Sequence, residues 1–239
     1  MMAAPSLSIV VPCYNERENL PGVLEELAAS VRASVARGTV SRFEIVVVDD
    51  GSTDGSTDQL ATRIDVREAR VVRHERNRGL TAALRTGFSA ATLELVTWVP
   101  ADGQIPPASI DTLLAARRDE ALVLSTYTHR PDGLVRALMS RTARLFVWAL
   151  IGFHGKLEGI YLFRRDLLDS LDLVATRSAG IVAFELAAKV QRLSKDGRGG
   201  IATCVIDCLP RRSGHSKVAD ARNVATFIAE LVRIRASLQ

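Results

Sequence analysis

Four strand-like segments lie in the first hundred residues, and their apolar residues are mostly consecutive rather than alternate. The segments are residues 7–12, 43–50, 70–75 and 93–99. Consecutive apolar residues are typical of strands buried on both faces, because helices cover both sides of a parallel sheet. Stretches with helical spacing follow the first three segments. The alternation predicts an α/β fold with a mostly parallel, doubly wound central sheet flanked by helices.

The remainder of the chain continues with helices and strands in a less regular order. The predicted elements are a helix at 108–118, a strand at 121–127, one or two amphipathic helices at 134–153, a strand entering a helix from 158, a helix at 181–194, a strand at 201–210 and a helix at 224–238. No internal repeat, low-complexity segment or long linker interrupts the 239 residues. We therefore expect a single domain over residues 1–239.

The composition argues against several classes of protein. A net charge of +4 is a mild bias towards anionic partners such as phosphates or acidic membrane surfaces. Aromatic residues make up only 5% and no basic run carries interleaved aromatics, so nucleic acid is not an expected partner. Cys13, Cys204 and Cys208 form no CxxC pair, which argues against disulfides and zinc and favours a reducing cytoplasm.

Nothing in the sequence predicts that the chain crosses a membrane by itself. The N-terminal segment has no basic region ahead of its first apolar run, so no signal peptide is expected. The longest uncharged apolar run after the first strands, residues 145–153, is shorter than the roughly 18 residues of a spanning helix.

Polar residues are concentrated where the second strand-like segment ends, in the sequence VVVDDGSTDGS at 46–56. They are Asp49, Asp50, Ser52, Thr53 and Asp54. Such residues cap helices by accepting hydrogen bonds from unpaired backbone N–H groups, and this is one interpretation. Capping needs only one of them, however, and adjacent carboxylates repel each other unless something binds between them. We therefore favour a ligand-binding role for this motif.

A second acidic position follows the fourth strand-like segment, in VPADGQIPP at 99–107. Asp102 comes directly after the apolar run and before two prolines that end the strand. The carboxyl ends of strands are where open α/β sheets bind ligands. Asp102 is either a metal ligand or an acidic turn residue.

Four motifs occur together, in order and at matching intervals. They are VVPCYNERENL, EIVVVDDGSTDGS, NRGLTAALRTGF and PADGQIPP. In this combination the sequence resembles the family 2 glycosyltransferases, which have the GT-A nucleotide-sugar fold. Among these it most resembles the polyprenyl-phosphate hexosyltransferases typified by dolichyl-phosphate mannose synthase. The resemblance covers residues 7–110 well and the remainder in patches.

The resemblance implies an inverting transfer of a hexose from a UDP- or GDP-sugar, with Mg²⁺ or Mn²⁺ at the diphosphate. It implies that residues 1–110 bind the nucleotide-sugar and residues 111–239 the acceptor. The nucleotide-sugar residues that it implies are Pro12, Tyr14, Asn15, Glu16, Asp49, Asp50, Asn77, Arg78, Gly79, Asp102 and Gln104. Asp102 is the implied metal ligand, since one carboxylate with substrate phosphates and waters can hold such an ion.

The acceptor half carries the remaining candidates. Arg211, Ser216 and Lys217 in PRRSGHSK match a segment of the polyprenyl-phosphate enzymes and are suited to phosphate, although a solvated basic loop is the alternative. The resemblance also places helices that rest on a membrane at 134–153, which would put the protein at the inner face of the cell membrane. A helix packed on its own core is the alternative there. The predicted catalytic residues are Asp102, Glu185 and Arg211.

Departures from the family pattern leave the acceptor open. The first Asp of the family's Asp-x-Asp is Pro100 here, and the family's Asp-x-x-Ser-Gly-Phe-Arg is GKLEGIY at 155–161, so the Arg position is Tyr161. A lipid phosphate can attack without a base, whereas a hydroxyl acceptor needs one, for which Glu185 or Glu158 are candidates. Glu185 could instead pair with Lys189 on an exposed helix face. The alternatives are a transferase acting on a soluble hydroxyl acceptor and a non-catalytic sugar-nucleotide binder.

Overall fold

The computed structural model describes residues 3–58, 60, 67–128, 134–171, 173–175, 181–195, 200–210 and 221–238. The strands are β1 (Ser6–Cys13), β2 (Arg42–Asp49), β3 (Ala69–Arg73), β4 (Leu95–Trp98), β5 (Leu122–Tyr127), β6 (Tyr161–Arg164) and β7 (Ile201–Ile206). The helices are α1 (Leu20–Ala36), α2 (Leu80–Ala90), α3 (Ser109–Ala116), α4 (Leu134–Ile151), α5 (Asp166–Ser170), α6 (Ile181–Lys195) and α7 (Ala221–Ser237).

The seven strands form one sheet in the order β3-β2-β1-β4-β6-β5-β7. β6 runs antiparallel to both of its neighbours, and the other pairs of adjacent strands are parallel. The predicted α/β fold with a mostly parallel sheet is therefore confirmed. The consecutive apolar residues of β1 are explained by its central position, because it lies between β2 and β4 with helices on each face.

Alternate residues of β1 supply two hydrophobic cores on opposite faces of the sheet. Ile9 and Val11 contribute to the core that includes α1, and Val10 contributes to the core that includes α2. Gly87 allows α2 to lie unusually close to β1, since a Cβ at that position would be 2.2 Å from Cγ1 of Val10. The close packing fixes the position of α2, most of which belongs to the motif NRGLTAALRTGF.

The segments that carry the sequence motifs leave the sheet at the same edge. Cys13 at the end of β1 is in register with Asp49 at the end of β2. β4 runs parallel to β1 on its other side and ends at Trp98, four residues before Asp102. This is the edge at which open α/β sheets bind their ligands.

The predicted elements are observed among the described residues, with two clarifications. The stretch 134–153, predicted as one or two helices, contains the single helix α4. The helix that we expected to begin after residue 51 falls mostly on residues outside the described ranges. Within the described part of the chain, no helix combines the length and apolar character that crossing a membrane requires.

Candidate functional site

The loop after β1 is attached to the turn after β2 by hydrogen bonds between backbone N–H groups and polar side chains. The N–H of Asn15 donates to Ser52 Oγ at 3.0 Å, and the N–H of Thr53 donates to Asn15 Oδ1 at 2.9 Å. The N–H of Glu16 donates to Ser56 Oγ at 2.9 Å. Asn15 has φ of 55°, in the left-handed region that Asn tolerates better than most residues. The hydroxyl residues of the motif at 46–56 thus shape the site.

The four residues predicted from the first motif have different environments. Pro12 is a buried residue of β1. Tyr14 and Glu16 are partly exposed and Asn15 is exposed, so all three lie at the surface of the carboxyl edge. Glu16 Oε2 accepts a hydrogen bond from Asn19 Nδ2 at 2.7 Å, which orients its carboxylate. Their assignment to a base or ribose stays a prediction.

Asp49 is fully buried, and both of its carboxylate oxygens accept hydrogen bonds. Oδ1 accepts from the N–H of Ser52 at 2.8 Å and Oδ2 from the hydroxyl of Thr57 at 2.6 Å, with Arg73 Nε at 3.5 Å. Burial alone would raise the pKa of Asp49, but these hydrogen bonds and Arg73 together lower it below its usual range. Both hydrogen bonds come from residues of the turn that follows β2, and the roles of Asp49 in capping a helix or binding a nucleotide stay predictions.

Asp50 connects the turn after β2 to the loop that precedes α2. It is 3% exposed, and it accepts hydrogen bonds from the N–H groups of Arg78 at 2.9 Å and Gly79 at 2.7 Å. His74 Nδ1 lies 2.7 Å from Asp50 Oδ1. Sequence reasoning missed His74, although its place directly after β3 puts it at the same edge of the sheet.

The loop of residues 76–79, which we call the 76–79 loop, presents polar groups to solvent. Asn77 and Arg78 are exposed, and Gly79 is the N-cap residue of α2 with φ of 90°. Gly79 has no side chain with which to cap the helix, and the N-terminus of a helix carries a partial positive charge. A guanidinium and a helix N-terminus at one place favour an anionic ligand such as a phosphate group.

Asp102 is 6% exposed in a tight turn beyond β4. Its Oδ1 accepts a hydrogen bond from the N–H of Gln104 at 3.1 Å, and Gly103 between them has φ of 72°. Among the described residues, no group of three or more His, Cys, Asp or Glu side chains could hold a metal ion. This donor set fits an ion that arrives with the donor diphosphate, which would complete the coordination with its own oxygens and waters.

Gln104 contacts the end of the segment that follows β7. Its carbonyl accepts a hydrogen bond from the N–H of Leu209 at 2.8 Å, and its Nε2 lies 3.3 Å from the carbonyl of Leu209. The described segment ends one residue later, at Pro210, and the predicted phosphate residues Arg211, Ser216 and Lys217 lie outside the described residues. The chain therefore enters the predicted phosphate segment from a point beside Gln104, two residues from Asp102.

Glu185 is a fully buried residue of α6. Its carboxylate accepts hydrogen bonds from the N–H groups of Val174 at 2.6 Å and Ala175 at 2.8 Å, and Lys189 Nζ lies 2.8 Å away. The pairing with Lys189, which is the alternative to catalysis, is present, but Glu185 is not exposed as that alternative assumed. Glu185 thus orients the backbone at 174–175 by accepting its hydrogen bonds, and its role as a general base stays a prediction.

The positions where the sequence departs from the family pattern are also defined. Tyr161 is buried against Trp98, and its hydroxyl and the Trp98 Nε1 are the two buried side-chain polar atoms without a hydrogen-bond partner within the described part of the molecule. Arg164 and Arg165 lie beside Glu94 and Leu95, at the start of β4. Both arginines are therefore at the opposite end of β4 from Asp102.

The sequence is similar to known sugar transferases. The model of a family described as "Glycosyl transferase family 2" matches residues 8–174. Undecaprenyl-phosphate 4-deoxy-4-formamido-L-arabinose transferase of Yersinia enterocolitica is 32% identical over 170 residues, which are 69% of this chain and 50% of that protein. Dolichol-phosphate mannosyltransferase of Saccharomyces cerevisiae is 28% identical over 220 residues, which are 89% of this chain and 80% of that protein. The chain thus spans about half the length of the arabinose transferase that it matches.

Solved structures share the fold. Glucosyl-3-phosphoglycerate synthase of Mycobacterium tuberculosis, in complex with Mn²⁺, UDP and glucosyl-3-phosphoglycerate, superposes with a TM-score of 0.66 at 22% identity, over 98% of this chain and 80% of that chain. Mannosyl-3-phosphoglycerate synthase of Rubrobacter xylanophilus gives 0.64 at 21% identity, over 97% of this chain and 73% of that chain. These likenesses confirm the GT-A fold. Because the family model covers more than half of its length, the chain belongs to glycosyl transferase family 2.

Proposed function

We propose that this protein transfers a hexosyl group, with inversion, from a UDP- or GDP-sugar to a polyprenyl phosphate. The relatives whose names specify a polyprenyl-phosphate acceptor include one that aligns with 89% of the chain. The observation that carries the proposal is the convergence of the four motifs at the carboxyl edge of β1, β2, β3 and β4, where sugar-nucleotide recognition would need them.

The donor would lie across this edge. Tyr14 and Glu16 are at the surface beside the turn that begins at Asp50, and Arg78 extends from the 76–79 loop attached to that turn. A carboxylate suits ribose hydroxyls and base N–H groups, while a guanidinium suits phosphate oxygens. Asp102 follows the next strand and would face the diphosphate.

A divalent cation would be held by Asp102 together with the donor diphosphate. When bound, Mg²⁺ or Mn²⁺ neutralises the negative charge that develops on the departing diphosphate. Since Pro100 replaces the first Asp of the family motif, the protein supplies one carboxylate here, and we expect metal affinity to depend strongly on the presence of the donor.

The proposed transfer is a single displacement at the anomeric carbon. A phosphate oxygen of the acceptor forms the new bond, the bond to the diphosphate oxygen breaks, and a nucleoside diphosphate leaves. A phosphate monoester is already anionic near neutral pH and needs no general base. This chemistry agrees with a Glu185 whose carboxylate is committed to backbone N–H groups and Lys189. Arg211, Ser216 and Lys217 would bind the acceptor phosphate.

Helix α4 is the proposed contact with the membrane surface that holds the acceptor. Leu145, Phe146 and Trp148 are 58%, 38% and 48% exposed. Large exposed apolar side chains close together on one helix suit the interface of a bilayer, and Arg144 on the same helix suits anionic lipid. We therefore propose a cytoplasmic protein bound peripherally at the inner face of the cell membrane.

Transfer to a soluble hydroxyl acceptor is the second candidate, because Tyr161 occupies the position at which the family pattern has an Arg. This buried, uncharged phenol cannot replace a guanidinium as a phosphate ligand. The loss favours an acceptor bound by other groups.

Nucleoside diphosphate release distinguishes the two acceptors. The purified protein would be incubated with Mn²⁺ and GDP-mannose, UDP-glucose or UDP-N-acetylglucosamine, each with and without a short-chain polyprenyl phosphate. We expect release only with the lipid, and a loss of about 100-fold or more in Asp102→Ala, comparable to the loss of other charge-stabilising groups. Asp119→Ala is the control and should leave the rate unchanged, because this exposed carboxylate precedes β5, at the opposite edge of the sheet from Asp102. Release that ignores the lipid would contradict the proposed acceptor.

A further inference from the structure

His74 is a buried residue that connects three elements near the candidate site. It follows β3, is 7% exposed, and its backbone N–H donates to the carbonyl of Asp49 at 2.8 Å. Nδ1 lies 2.7 Å from Asp50 Oδ1, and Nε2 lies 2.9 Å from Thr86 Oγ1 on α2. The imidazole thus joins the turn after β2 to the helix that follows the 76–79 loop.

The partners of the two ring nitrogens of His74 determine which nitrogen carries a proton. A carboxylate only accepts hydrogen bonds, so the nitrogen that faces Asp50 must carry a proton. Thr86 can donate or accept, and therefore satisfies Nε2 in either state. His74 and Thr86 together hold Asp50 Oδ1 at a fixed place between strand and helix.

Asp50 in turn determines the conformation of the 76–79 loop. Its two oxygens accept the N–H groups of Arg78 and Gly79, the residues at the end of that loop. The adjacent Gly51 lies against the other end, because a Cβ there would be 2.5 Å from the carbonyl carbon of Arg76. The loop is therefore shaped from both ends by Asp50 and Gly51.

We propose that His74 is a positioning residue for donor binding, acting through Asp50 on the 76–79 loop. This inference rests on the proposed function, since it assumes that Arg78 and the N-terminus of α2 bind the donor diphosphate. It assigns Asp50 an indirect role, in which its carboxylate orients the loop. His74 itself touches neither the donor nor the acceptor.

A matched pair of substitutions tests the proposal. Asn places its amide nitrogen near the position of Nδ1, so His74→Asn keeps a donor for Asp50 and loses the contact with Thr86. Gln reaches the position of Nε2, so His74→Gln keeps the contact with Thr86 and loses the donor to Asp50. His154→Gln, at an exposed histidine on the surface, is the control.

The first readout is binding of UDP and of GDP by calorimetry with Mn²⁺, alongside the thermal midpoint of each variant. For whichever nucleotide the wild type binds, we expect His74→Gln to weaken affinity about tenfold or more, because a hydrogen bond to a buried charge is lost. His74→Asn should stay within about threefold of wild type at a similar thermal midpoint. Affinity that follows the thermal midpoint in both variants would show a merely structural role and overturn the proposal.

The second readout needs no nucleotide and keeps the proposal separate from the proposed function. Amide hydrogen exchange at Arg78 and Gly79 should be faster in His74→Gln and unchanged in His74→Asn. Equal protection in both variants would overturn the positioning role. A wild-type protein that binds neither nucleotide, but shows the expected exchange pattern, would contradict the proposed function and leave the loop mechanism supported.

Discussion

Two buried carboxylates in different halves of the molecule are used in nearly the same way. Asp50 accepts two successive backbone N–H groups, of Arg78 and Gly79, and has His74 beside it. Glu185 accepts two successive N–H groups, of Val174 and Ala175, and has Lys189 beside it. Each carboxylate orients a segment of backbone and has a cationic or N–H-bearing side chain as its third partner.

The two regions differ in what the oriented backbone leads to. The 76–79 loop held by Asp50 presents an exposed Arg78 at the carboxyl edge of the sheet. The segment held by Glu185, residues 173–175, is also held by Arg85 of α2. The guanidinium of Arg85 donates hydrogen bonds to the carbonyls of Leu173 and Ala175. A buried acidic residue near a candidate site is thus not by itself a catalytic group, since its partners decide what it does.

The largest effect is expected at Glu185. Glu185→Ala removes the acceptor for two N–H groups and leaves Lys189 buried without its carboxylate, so we expect a loss of about 3–5 kcal/mol in the free energy of unfolding. Urea denaturation measures it. Lys189→Met is the matched control and should cost less, because Glu185 keeps both backbone donors.

Activity separates this role from general-base catalysis. Glu185→Gln abolishes a base while keeping the shape of the side chain. If Glu185 is structural, the folded fraction of that variant should keep its turnover within a few-fold and show the wild-type pH profile. A stable variant whose turnover falls by about 100-fold or more would instead identify Glu185 as the base.

An intermediate effect is expected at Gly51, which builds the region around Asp50. Gly51→Ala places a Cβ on a backbone in the left-handed region, at φ of 73°, and brings it against the backbone of Arg76. We expect a loss of about 2–3 kcal/mol in the free energy of unfolding. Gly38→Ala has nearly the same φ, 74°, with nothing within 4 Å of the new Cβ, and should cost only about 1 kcal/mol. Equal costs in thermal or urea unfolding would mean that the contact between Gly51 and the 76–79 loop is unimportant.

The smallest effect concerns acid. The pKa of Asp49 is lower in the folded state than its ordinary value of 3.8, because Ser52, Thr57 and Arg73 outweigh the effect of burial. The folded state then binds fewer protons than the unfolded chain, so this stabilisation is fully present above the unfolded pKa and is lost as the pH falls through the folded one. Urea midpoints measured as the pH is lowered below 5 should therefore fall less steeply in Asp49→Asn than in wild type. The same slope in both would contradict the assignment.

Much of the first half could be predicted from sequence because its signals are local. Consecutive apolar residues identified β1, β2 and β4 as buried strands, and the observed strand order brings Asp50 and Asp102 to one edge. The second half could not be predicted to the same depth. Glu185 has partners in a preceding segment that no sequence spacing specifies, and that segment is held in turn by Arg85 from far along the chain. Likewise, no local pattern predicts that β6, which follows β5 in sequence, lies between β4 and β5 in the sheet and runs antiparallel to both.

His74 shows the same limit at shorter range. Its neighbours in sequence suggest only the end of a strand, and its role appears once β2, β3 and α2 bring Asp50 and Thr86 to its two ring nitrogens. Conversely, the local pattern around Asp49 predicted polar contacts, for which the sequence favoured a ligand over the turn itself. The turn supplies at least two of them.

Transfer of a sugar to a polyprenyl phosphate is best tested by following a labelled hexose. The donor identified by nucleotide release would carry the label in its sugar, and the reaction would be extracted with organic solvent. We expect label in the lipid fraction only when polyprenyl phosphate and Mn²⁺ are present. The product should have the inverted anomeric configuration and be absent in Asp102→Ala. Label that stays in the aqueous phase while the donor is consumed would contradict the claim.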